Sequence, residues 1–116
     1  MRIAENIYNI AYDKDTGSLL NERDKTEINR RRIWWVQAET VVGFVNAYQH
    51  RGDAKFLEAA ERVMQWIENV QCDSREGSEW WAVIEDGKPV PEAAMVDEWK
   101  CPYHNGRMCM EILTRL

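Results

Sequence analysis

Apolar positions recur with helical spacing through the middle of the chain. Trp34, Ala38, Val41, Val45 and Tyr48 fall at i, i+4, i+7, i+11 and i+14, one continuous stripe of a helix. Gly52 follows where a left-handed residue ends a helix, and Asp53 can cap the next one. On that second helix Phe56, Ala60, Val63, Ile67 and Val70 repeat the spacing. So short a turn forces the two to lie antiparallel as an αα-hairpin. Weaker versions of the pattern mark a helix near the start, through Ile3, Ile7 and Ile10, and one near the end. In the last, Pro102 suits the first turn, and Met108, Ile112 and Leu116 supply part of an apolar face.

The segments between helices read differently. AYDKDTGSLL is rich in turn residues, and NERDKTEINRRR is almost wholly polar, the pattern of a solvated face or loop. Residues 80–84 are aromatic and β-branched, and Asp86-Gly87 after them is a hairpin signal. Pro89 and Pro91 confine the second strand to a sheet edge. Trp80 and Trp81 then point to opposite faces, so at most one of them faces any given cleft. The expected architecture is all-α, with antiparallel helix hairpins and one small β-hairpin. The first helix starts at the first residue with no capping residue before it, which reads as a chain entered part-way through a larger fold.

Composition narrows the function. The 116 residues carry 15 basic and 20 acidic side chains, a net charge of −5, which gives no electrostatic footprint for nucleic acid. The uncharged stretch from Thr40 to His50 is eleven residues, well short of the roughly 20 that a membrane-spanning helix needs. No secretory leader is legible either. Cys72, Cys101 and Cys109 are odd in number and lack a CxxC pair, so they read as reduced thiols of a cytoplasmic protein. No metal site is expected: Asp13, Asp15 and Gly17 suggest a calcium loop, but Ser18 and Asp24 stand where such a loop needs glycine and glutamate.

Two histidines are present, His50 and His104. His104 lies in WKCPYHNGRMC, in the first turn of the last helix, where the positive end of the macrodipole favours the neutral imidazole that a general base requires. Arg107, one turn on, can hold an anionic intermediate or a carboxylate. Trp35 and Glu39 are also one turn apart, beside the apolar stripe of Trp34. An indole face next to a carboxylate suits a sugar, whose C–H face packs on the ring while its hydroxyls donate to the acid. Trp34 and Trp66 read as packing. Spacing alone favours a hydrogen-bonded structural His104, and it also allows Trp35 in the core with Glu39 at the surface.

Several strings taken in order go further. Trp34-Trp35-Val36-Gln37-Ala38-Glu39, Val42-Gly43-Phe44, Tyr48-Gln49, Gly52-Asp53, Glu79-Trp80-Trp81, Asp86-Gly87-Lys88-Pro89 and Trp99-Lys100-Cys101-Pro102-Tyr103-His104-Asn105-Gly106-Arg107 strongly resemble the C-terminal part of cellobiose 2-epimerases, a branch of the N-acylglucosamine 2-epimerase superfamily. The resemblance covers nearly the whole chain. It implies about the last third of an (α/α)6 barrel, with a sugar in the central cleft, and inversion of C2 of a reducing-end aldose without a cofactor. In that reaction the ring opens, a base removes the C2 proton, a cis-enediolate forms, and a second acid returns a proton to the other face. By resemblance His104 is one of two acid/base histidines, Trp35 and Trp99 stack on the sugar, Glu39 is a polar substrate contact, and Arg107 falls within the substrate-binding motif. The family's other catalytic histidines belong to earlier helices, so the chain alone is not expected to be a competent epimerase. An aldose–ketose isomerase and a non-catalytic, carbohydrate-binding or oligomerising helical fragment are the competing readings. The expected partner is a small sugar, with self-association through exposed barrel surface.

Overall fold

A computed structural model of the chain describes residues 2–23, 28–96, 98 and 100–116. Helix α1 (Arg2–Asn6) widens into a π-helical turn, Ile7–Ala11, and leads into an antiparallel pair, β1 (Tyr12–Asp13) with β2 (Ser18–Leu19). A second pair, β3 (Glu22–Arg23) with β4 (Ile28–Asn29), precedes β5 (Arg32–Ile33). Then come the long helix α2 (Trp34–Arg51) and α3 (Ala54–Trp66), the latter also ending in a π-helical turn, Ile67–Gln71. Strands β6 (Val83–Glu85) and β7 (Lys88–Pro89) and helix α4 (Tyr103–Arg115) complete the order.

The central hairpin has the expected termini. Gly52 adopts φ 70° and its N–H bonds the Tyr48 carbonyl at 2.7 Å, closing α2. The Asp53 carboxylate accepts from the Lys55 N–H at 3.1 Å and caps α3. Between the helices Ala38, Val41, Phe44 and Val45 meet Phe56, Ala60 and Val63, all buried. Full burial of an aliphatic or aromatic side chain is worth about 1.5–3 kcal/mol, so this seam dominates the stability. A Cβ at Gly52 would meet nothing within 4 Å, so Gly52→Ala carries only the conformational penalty of a left-handed residue. The expected loss is about 1 kcal/mol, read from the urea midpoint.

The predicted hairpin is present. Asp86 (φ 52°) and Gly87 (φ 76°) both take positive φ, the signature of the type I′ turn that matches strand twist. Pro89 sits on the edge strand of the order β5-β6-β7. The mainly helical class holds, and β1–β2, β3–β4 and the third strand β5 add to the one hairpin expected.

Three expectations are corrected by tertiary contacts. The polar run before α2 is not all solvated: Arg32 is 7% exposed, bonded to Asp13 Oδ2 at 2.9 Å and Ser18 Oγ at 2.8 Å. Burial holds its guanidinium below the ordinary range, and Asp13 opposes that shift. Across α1 and the π-helical turn after it, the packed residues are Ala4, Ile7, Tyr8 and Ala11, while Ile3 and Ile10 are exposed. The Tyr8 ring docks 5.8 Å from Phe56 and 6.1 Å from Phe44, so the packed face runs through Ile7 and Tyr8 and leaves Ile3 and Ile10 outside. In α4, Met108 is buried and Ile112 packs on the core, but Leu116, the residue that follows the helix, is exposed.

Candidate active site

Helical spacing gives α2 a second face. Trp35, Glu39, Gly43 and Asn46 run along it and line an open groove of about 810 Å³, together with Ile3 and Ile7. Helix α4 lies beside this face and meets it through a polar ladder with spacing of its own, His104, Arg107 and Arg115. At the far end Arg115 donates to Asn46 Oδ1 at 3.1 Å and Gln49 Oε1 at 3.2 Å, and its carbonyl accepts from Gln49 Nε2 at 2.9 Å. These bonds fix the register of α4 on α2.

At the near end the two helices share one carboxylate. Glu39 Oε1 lies 2.9 Å from His104 Nδ1, and Arg107 Nη1 donates to Glu39 Oε2 at 2.6 Å. A carboxylate only accepts, so in the neutral ring Nδ1 carries the proton and Nε2 keeps its lone pair. That is the arrangement in which a carboxylate orients an imidazole for proton transfer at its other nitrogen. The Trp35 ring lies 5.8 Å from the imidazole at 36°, and the Tyr103 ring 5.0 Å away, edge-on at 81°. His104, Glu39 and Arg107 are each about one-third exposed, so they are held yet reachable.

The fold therefore brings together Trp35, Glu39, His104 and Arg107, although Glu39 and His104 are 65 positions apart in the chain. Trp99, the fifth residue singled out, lies outside the described residues. His50 is exposed near the end of α2. It is eleven residues beyond Glu39, or about 16 Å along the axis. Trp80 and Trp81 are both partly buried against the core, and the Arg75 guanidinium lies 5.5 Å over Trp81. Trp66 is buried as expected, whereas Trp34 is half-buried under the Lys100 ammonium, 5.6 Å from its ring.

Two features escaped the sequence. Glu39 faces His104 and Arg107 within the protein, where spacing on α2 suggested only a partner for sugar hydroxyls. Tyr103 packs edge-on against the same imidazole, and its place beside His104 in the first turn of α4 is the signal the sequence carries for it. Among the described residues no group of three or more His, Cys, Asp or Glu side chains could hold a metal ion, and no helix is long and apolar enough to cross a membrane.

Comparison with known proteins adds to this geometry. The family model of N-acylglucosamine 2-epimerase (GlcNAc 2-epimerase) matches residues 1–105. The cellobiose 2-epimerase of Ruminococcus albus is 54% identical over 116 residues, covering 99% of this chain and 29% of the relative. Among solved structures, a sugar epimerase from a ruminal bacterium superposes with TM-score 0.93 at 55% identity, and the cellobiose 2-epimerase of Bacillus thermoamylovorans with TM-score 0.93 at 43%. Each of these alignments covers 98% of this chain and 29% of the other. The chain thus spans under a third of the length of the relatives it matches.

Proposed function

The chain belongs to the N-acylglucosamine 2-epimerase family, and from that premise we propose that it forms one wall of the sugar cleft of a C2 epimerase acting on a reducing-end aldose such as cellobiose. Its helix hairpins are part of the (α/α)6 barrel of those epimerases. In this reading the opened sugar lies along the exposed Trp35 face with C2–H toward His104 Nε2. The imidazole takes the C2 proton, the C–H electron pair moves into a C1–C2 double bond, and the carbonyl oxygen becomes the enediolate oxygen. Return of a proton to C2 from the opposite face inverts the centre. Glu39 supports both protonation states of His104: it accepts from Nδ1–H throughout and offsets the imidazolium charge once the proton has moved.

The observation that carries the proposal is the 2.9 Å contact between Glu39 and His104 Nδ1, with the Trp35 ring beside the same imidazole. Epimerisation needs a second acid/base group on the other side of C2. His50, the other histidine, is about 16 Å from Glu39 along α2, and no described contact of this chain supplies the group, so the remaining barrel wall must. A single base can still exchange the C2 proton with solvent. In heavy water the barrel containing this chain is expected to place deuterium at C2 of cellobiose while the sugar stays an aldose. Accumulating ketose would assign an aldose–ketose isomerase instead, and a sugar without deuterium at C2 would exclude both.

A further inference from the structure

We propose that Glu79 and Asn105 are positioning residues that hold His104 in register with Glu39. Asn105 follows His104 in the first turn of α4 but points the other way, and it is 9% exposed. Its Nδ2 donates to Glu79 Oε1 at 2.7 Å. That oxygen also accepts from the Trp80 N–H at 2.7 Å, which pins the carboxylate to its own backbone. The ammonium of Lys100, 1% exposed, lies 3.8 Å from the same oxygen and 5.6 Å over the Trp34 ring.

A buried lysine is kept only where opposite charge and an aromatic face replace its water, so this cluster is a fixed point of the structure. The strip that carries Glu79 is itself anchored. Cys72 and Trp80 form a β-bridge, and the Trp81 N–H bonds the Gln71 carbonyl at 2.7 Å. One residue on, the Ala82 carbonyl accepts from the Trp34 N–H at 3.0 Å, at the first residue of α2. The strip from 79 to 82 therefore grips the starts of both helices that build the site: α2 through Trp34, next to Trp35, and α4 through Asn105, next to His104. Neither Glu79 nor Asn105 touches His104. Each acts by fixing the helix start from which the imidazole reaches Glu39, a distance that tolerates little slip.

The inference rests on the proton-transfer reading of His104, and its test separates the two. Nitrogen-15 spectra of the imidazoles in the full chain report the tautomer of His104 directly, with exposed His50 as internal reference. Asn105→Ala and Glu79→Gln, each checked for folding by circular dichroism, are expected to convert a single Nδ1–H tautomer of His104 into a mixture and to leave His50 unchanged. In the barrel containing this chain, the turnover number for C2 proton exchange of cellobiose should fall on the order of tenfold to a hundredfold, with KM nearly constant. Should Glu79→Gln unfold by stranding Lys100, the charge-free pair Glu79→Gln/Lys100→Met takes its place. Folded variants with parental His104 spectra overturn the proposal. A parental barrel that exchanges no C2 proton removes the epimerase reading, and the spectra still decide the positioning role.

Discussion

Replacing His104 by alanine is expected to lower C2 proton exchange by about two to four orders of magnitude, the range that a positioned acid/base side chain contributes. Each tenfold step corresponds to about 1.4 kcal/mol of barrier. Stability should change little, because His104 lies at a helix start and is only partly buried. Binding should persist as well, since the Trp35 face is untouched. The decisive measurement is exchange into heavy water at saturating cellobiose, paired with sugar affinity from calorimetry. Unchanged exchange would remove His104 from the chemistry, and lost affinity with retained turnover would make it a binding residue.

Glu39→Gln should approach that loss without removing the imidazole. An amide has one acceptor and two donors. With a single acceptor oxygen it cannot offer one to His104 Nδ1 and a second to Arg107 Nη1, as the two carboxylate oxygens do in the structure. If the amide nitrogen turns to the ring, the imidazole must present a lone pair at Nδ1 and its proton moves to Nε2, the wrong tautomer for a base there. The expected result is a fall in turnover number of about 10²–10³ with little change in KM. A Glu39 that chiefly bound sugar hydroxyls would give the opposite split, with KM raised and turnover nearly kept. With the double variant His104→Ala/Glu39→Gln, the loss should be close to that of His104→Ala alone, because the carboxylate acts through the ring.

The corrections share one cause. The stripe of Ile3, Ile7 and Ile10 and the polar run ending at Arg32 are local patterns, and each yields to a partner distant in the chain. Tyr8 finds Phe56 and Phe44, and Arg32 finds Asp13 and Ser18. A charged side chain can be buried only where counter-charge and hydrogen bonds await it, and no window of sequence around Arg32 displays them. Leu116 shows the converse. It keeps the spacing of an apolar face, yet at the end of α4 no element of the described structure covers it.

What the sequence determined by itself is local in origin: the αα-hairpin with its Gly52 and Asp53 boundary, the Asp86-Gly87 turn, and the pairing of Trp35 with Glu39 and His104 with Arg107 on separate helices. Periodicity, capping and turn chemistry act over a few residues, so they are legible without a fold. Only the tertiary structure decided that the two pairs meet. Packing of α4 along the second face of α2 set that meeting, with Arg115 on Asn46 and Gln49 at one end and Asn105 on Glu79 at the other. It also turned Glu39 from a side chain awaiting a sugar into the partner of His104. Helix–helix register is chosen by the sum of side-chain contacts over a whole interface, and that sum exists only once the chain has folded.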